Sequence, residues 1–164
     1  MLLNQSTEEW ATAYHESGHA VMGVLRDLPP CSISIAPTIN GEVGRTEFPP
    51  VPRKFRNYLD SSFEKRDYIE TRILIAIAGT IAHDIYTPGR IHDSGDSHDL
   101  QRAKAFIEQN ASWAVNDRDG YLQCLRDLSR QMIAENWAYV QAIAFALVKQ
   151  RELTREHVMG YRPA

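Results

Sequence analysis

The stretch that most constrains this chain is His15-Glu16-Ser17-Gly18-His19, a metal-binding H-E-x-x-H pattern close to the N-terminus. On a helix, residues four apart lie one turn above each other, so His15 and His19 can offer two imidazole nitrogens to one cation. Glu16 points roughly a quarter-turn round, beside a metal rather than on it, where its carboxylate can take a proton from water. The pattern works only on a helix, and only with a third ligand from elsewhere. It therefore demands a fold that returns a distant donor to the N-terminal helix.

The flanking residues predict that helix. Ser6 and Glu9 form a capping box that starts it near Thr7, and the Pro29-Pro30 pair ends it. Trp10, Ala13, Tyr14, Ala20, Val21, Val24 and Leu25 give it a broad apolar face. Gly18 is unfavourable in a helix interior by ~1 kcal/mol relative to alanine, so another backbone or the metal site needs its room. Cys31 to Ile35 alternates apolar and polar, Asn40-Gly41 is a turn dipeptide, and Val43 to Phe48 runs back as a second strand. A surface excursion over 49–61 follows. Ser61 or Ser62 caps a core helix from Phe63 to Ile85, apolar on nearly every side and closed by Pro88-Gly89. A third helix runs from Ser97 or His98 to Gln109. After a polar break at 116–120, spacings of three and four predict one long amphipathic helix from Leu122 to Leu147, then a short last turn capped by Thr154. The predicted class is α+β, mainly α: a single domain over 1–164, with a small β-hairpin or sheet between the motif helix and the core helix.

Composition narrows the partners. With 164 residues the chain can bury one real core, and a formal charge of -3 without long runs of one sign predicts neither nucleic acid nor an anionic membrane as partner. Cys31 and Cys124 form no Cys-x-x-Cys pair, which argues against a disulfide framework or a thiolate zinc site and for a reducing, cytoplasmic setting. Met1 to Gln5 lacks the charged start of a signal peptide. The most apolar run, Ile73 to Ala82, is about half the ~20 residues a membrane helix needs, so no membrane segment is expected in this chain.

The third ligand is less easily read. An extended H-E-x-x-H-x-x-G-x-x-H pattern is excluded by Met22 and Leu25, and Glu42, the nearest glutamate, sits beside the Asn40-Gly41 turn rather than on a following helix. The loop before the third helix offers His92, Asp93, Asp96, His98 and Asp99. Asp96 reads equally well as a helix cap and Asp99 as a first-turn acid facing the helix dipole. Spacing alone leaves these five open.

Longer stretches carry a family likeness. His15-Glu16-Ser17-Gly18-His19-Ala20-Val21-Met22-Gly23 resembles the H-E-x-G-H-A-x-x-G motif of peptidase family M41, the protease domain of the membrane-bound, ATP-dependent FtsH zinc proteases. Ser32 to Pro37 resembles the strand after the motif helix, and Gly44 to Pro49 resembles the edge strand G-x-T-x-x-x-P. Ala78-Gly79-Thr80-Ile81-Ala82-His83 resembles the core-helix G-G-R-x-A-E, and Gly95 to Leu100 resembles G-A-x-x-D-[LI]. Thr80 and His83 depart from the family's arginine and glutamate.

The resemblance implies a helical zinc-peptidase domain. Zn2+ would be held by His15, His19 and Asp99, Glu16 would be the general base, and a polypeptide would be the substrate, lying along Gly44 to Phe48. His98, His83 and Asp84 are left as outer partners of the site or as solvated residues. No G-x-x-x-x-G-K-[ST] loop occurs, so a peptidase domain without its own motor is expected. The partners expected beside the substrate are further copies of the chain, as a homo-oligomer, or a separate unfoldase. The competing reading is a non-proteolytic zinc-binding adaptor with the same fold.

Overall fold

Two helices of 24 residues each, α1 (Leu2–Leu25) and α2 (Phe63–Tyr86), cross at a glycine and set the position of everything else. They belong to a computed structural model that describes residues 2–39, 41, 43–56, 62–88 and 98–163, with side chains from Thr7 onward. The candidate ligands Glu42, His92, Asp93 and Asp96, the turn residue Asn40 and the alternative cap Ser61 lie outside the described residues. At the crossing, a Cβ on Gly18 would sit 2.5 Å from the Ala78 carbonyl oxygen and 2.6 Å from the Ala82 Cβ. Backbone, not the metal, is what needs the space at Gly18.

Ser62 caps α2 by accepting from the Lys65 N–H, and Ile69, Ile73, Leu74, Ile77, Ala78, Ile81 and Ala82 bury the helix on several sides. It then meets α3 (His98–Asn110), which buries Leu100, Ala103 and Ile107 and leaves its other face free. α1 begins at Leu2, so Ser6 and Glu9 lie within the helix and do not start it. Leu2, Leu3 and Gln5 are good helix formers, and a capping box permits a start without enforcing one.

The predicted long C-terminal helix is two helices, α4 (Arg118–Glu135) and α5 (Trp137–Gln150). Asn136 interrupts them with φ −110° and ψ 24°. Its N–H is shared between the Met132 and Ile133 carbonyls at 3.2 Å, and its side chain donates to the Met132 carbonyl at 2.9 Å. Short polar side chains that bond the local backbone in this way compete with the helix. Beyond the break, Trp137 stacks on Tyr14, which also stacks on Tyr86, at centroid distances of 5.3 and 4.0 Å.

β1 (Ser32–Ser34) and β2 (Arg45–Glu47) pair antiparallel as predicted, with Ile33 opposite Thr46. A third strand, β3 (Glu152–Thr154), pairs antiparallel on the other side of β1, with Ile33 opposite Leu153, giving the order β2-β1-β3. Among the described residues β2 is therefore an edge. Arg151 makes the turn from α5 into β3 at φ 70°, and its carbonyl accepts from the Ile35 N–H at 2.9 Å. Thr154 then caps the short α6 (Arg155–Gly160), accepting from the His157 N–H as expected. Among the described residues no helix is long and apolar enough to cross a membrane.

Candidate metal centre

α1 forms the floor of an open cleft of about 1240 Å³, with the β2 region on one side and α2 and α3 on the other. The residues of α3 that line the cleft are His98 and Asp99 in its first turn, then Arg102, Ala105, Phe106 and Gln109 at spacings that keep them on one face, opposite to the face that enters the core. His15, Glu16, His19 and Asp99 all reach this cleft.

Three donor atoms converge there. His15 Nε2 lies 3.0 Å from Asp99 Oδ2, His19 Nε2 lies 3.5 Å from the same oxygen, and the two Nε2 atoms are 3.1 Å apart. A tetrahedral zinc with bonds of ~2.0–2.1 Å requires ligand atoms about 3.3 Å from one another. The three separations bracket that value. Among the described residues this is the one group of three such side chains close enough to hold a metal ion.

Neighbouring backbone prepares the donors. His19 Nδ1 donates to the Ile75 carbonyl at 2.7 Å, so a neutral ring presents its lone pair at Nε2. Gly79 leaves the room for both rings: a Cβ there would overlap His19 Nε2 and lie 2.8 Å from His15 Nε2. Lone pairs from two imidazoles and a carboxylate meeting in this way call for positive charge between them, supplied in the metal-free site by a proton. Burial would lower the pKa of His19, but its hydrogen bond to Asp99 and the charges of Glu16 and Asp99 outweigh that and raise it to about 9. For Asp99, burial would raise the carboxyl pKa, and His15 and His19 instead hold it well below the usual carboxylate range. A dication would satisfy the same field directly.

Glu16 is 6% exposed, and its Oε2 accepts from Thr46 Oγ1 at 2.6 Å. That bond ties the edge strand to the motif helix. Gly44, just before β2, has φ +89°, and a Cβ on it would lie 2.6 Å from Glu16 Oε1. Only glycine meets both conditions. Thr80 Oγ1 reaches Asp99 Oδ2 at 3.5 Å, a long bond. His83 is half-buried in the cleft wall, its ring 6.5 Å from that of His15, and its Nδ1 is 3.8 Å from Asp84 Oδ1. His98 is exposed at the start of α3.

Sequence reasoning passed over Gly79, the Ile75 carbonyl and the Thr46 bond to Glu16. The first had a readable signal, since a glycine inside an apolar helix asks for the same explanation as Gly18. The other two are tertiary contacts without a local signature.

Comparison with known proteins supplies the context for this geometry. The model of peptidase family M41 matches residues 2–137. The ATP-dependent zinc metalloprotease FtsH 3 of Synechocystis sp. (strain ATCC 27184 / PCC 6803 / Kazusa) is 33% identical over 112 residues, covering 66% of this chain and 17% of that protein. The chloroplastic ATP-dependent zinc metalloprotease FTSH of Medicago sativa is 31% identical over 100 residues, 59% of this chain and 13% of its own length. The chain thus aligns with less than a fifth of each of these relatives. The family match takes in the motif helix, the edge strand, the core helix and Asp99 together, and the chain belongs to peptidase family M41.

Proposed function

We propose that residues 1–164 form one peptidase domain that hydrolyses peptide bonds in unfolded or flexible polypeptides, with Zn2+ held by His15, His19 and Asp99. The observation that carries this reading is the convergence of three donor atoms at 3.0, 3.1 and 3.5 Å beside a buried carboxylate. When bound, zinc supplies Lewis acidity to the scissile carbonyl and brings the pKa of a water toward ~7. Glu16 takes a proton from the attacking water and returns it to the leaving amine. Thr46 holds the Glu16 carboxylate on the cleft side of α1 through its 2.6 Å bond. The hydrogen bond to Ile75 fixes the His19 ring with Nε2 toward the cleft.

An extended substrate adds to the open edge of β2, where main-chain bonds bind it without regard to sequence. In a folded protein most backbone groups are already paired, and few segments can extend into the cleft. Substrates therefore arrive already flexible, or are delivered by a separate unfoldase or through a ring of copies. The two exposed free cysteines, Cys31 and Cys124, suit a reducing, cytoplasmic setting.

The test measures bound zinc and cleavage of an unfolded protein for the native chain and for Glu16→Gln. Zinc in both, with cleavage by the native chain alone, is the expected result. Zinc with no cleavage by either would replace the peptidase by a zinc-binding adaptor of the same fold, and no zinc in the native chain would refute both.

A further inference from the structure

Among the described residues the cleft carries three arginines, and two of them are already engaged. Arg45 pairs with Glu47 at 3.3 Å, and Arg72 donates to the Pro49 carbonyl at 2.8 Å. Arg102 also lines the cleft, is exposed, and is bonded to no described residue. It stands three residues beyond Asp99 on α3, about 4.5 Å further along the helix axis and on the same face. Phe106 follows one turn later on that face. The α3 wall thus presents, one turn from the metal donors, a cation with no partner among the described residues, beside an aromatic ring.

Resting on the peptidase reading above, the geometry points to Arg102 as a specificity-determining residue that selects substrates with an acidic side chain near the scissile bond. The charges on the cleft floor make the position informative. When Zn2+ is held there its charge balances those of Glu16 and Asp99, which leaves the Arg102 guanidinium to discriminate between an acidic and a neutral side chain. A strand advances about 3.4 Å per residue, so the reach of Arg102 covers the two residues on either side of the bond that is cut. A guanidinium suits this role because its planar fork takes a carboxylate in two parallel hydrogen bonds. Phe106 lies where it can cover the methylenes of a glutamate.

The test uses one unstructured peptide with a single glutamate placed in turn at each of the two positions before and after the cleaved bond, and the matching glutamine peptides. For the native chain, kcat/KM for glutamate over glutamine is expected to exceed one by on the order of threefold at one or more of these positions, and to shrink as salt is raised. In Arg102→Gln the ratio falls to about one, and in Arg102→Glu it inverts, with zinc content unchanged in both. The same peptides are titrated against zinc-loaded Glu16→Gln, with and without Arg102→Glu, which reads binding without turnover. A native ratio of one at all four positions, or a preference that survives Arg102→Glu, overturns the assignment while leaving the peptidase reading intact. Absence of any cleavage by the native chain overturns the peptidase reading instead. In that event the binding titration still decides Arg102: equal binding of the glutamate and glutamine peptides refutes it.

Discussion

Replacing Gly79 by alanine should separate the metal centre from the fold. Alanine is preferred over glycine in a helix interior by about 1 kcal/mol, and Gly79 lies in the middle of α2, so the backbone term favours the variant. Against it stands the new methyl, which overlaps His19 Nε2 and lies 2.8 Å from His15 Nε2. Both atoms are the far ends of side chains at a cleft, so the rings can swing aside without moving backbone, and the His19 contacts to Asp99 and to the Ile75 carbonyl that this gives up are offset in part by the helix-propensity gain. Their convergence on Asp99 cannot survive that movement. The metal-free variant should melt within ~4 °C of the native chain, while zinc affinity falls by at least about 100-fold.

Gly18→Ala is the control. Its methyl meets the Ala78 carbonyl at 2.5 Å, backbone that cannot step aside, so this variant should lose stability by about 1–3 kcal/mol through the α1–α2 crossing. Competition for zinc with a chromophoric chelator, and thermal unfolding of the metal-free proteins, read the two effects independently. Native zinc affinity in Gly79→Ala, or collapse of its fold together with metal binding, would refute the reasoning.

Two further outcomes follow from the same contacts. Thr46→Val removes the bond that orients Glu16, a hydrogen bond to a charged acceptor worth about 1.5–3 kcal/mol, so cleavage should fall on the order of 10- to 100-fold with zinc content unchanged; equal loss of zinc would show that the bond matters to the metal instead. Metal-free His19, with its pKa raised to about 9 from 6.5, is protonated at pH 7, so zinc binding there should release about one proton and tighten as pH rises toward 9. The sign for stability is opposite. The His19–Asp99 pair stabilises the metal-free fold fully below pH 6.5, down to where Asp99 begins to protonate, and that contribution is lost as pH rises through about 9. Calorimetric zinc titrations in buffers of different ionisation enthalpy measure the proton count, and a count of zero would contradict the field described at the site.

The elements readable in advance were those whose signals are local. The apolar periodicity of α1 and α2, the cap at Ser62 and the cap at Thr154 each involve residues within one or two turns, and each stands where it was expected. β3 escaped because three residues, Glu152, Leu153 and Thr154, are too few to show alternation, and their partner strand lies more than a hundred residues earlier. The break at Asn136 escaped because periodicity continues smoothly across it, and because the local side-chain bond to Met132 that competes with the helix acts together with a tertiary contact, the stacking of Trp137 on Tyr14. At the metal centre, His15, Glu16 and His19 could be paired by helix geometry alone. Spacing could not choose Asp99 from its neighbours, because what brings its carboxylate to the histidines is the packing of α3 on α2.

That choice of third ligand is the central claim, and X-ray absorption at the zinc edge tests it most directly. The native chain should show four light-atom ligands at about 2.0–2.1 Å, with the outer scattering of two imidazole rings. Asp99→Asn should weaken zinc binding sharply and change this spectrum. A third imidazole in the native spectrum, or an unchanged spectrum and affinity in Asp99→Asn, would contradict the account and return the assignment to His92, Asp93, Asp96 or His98.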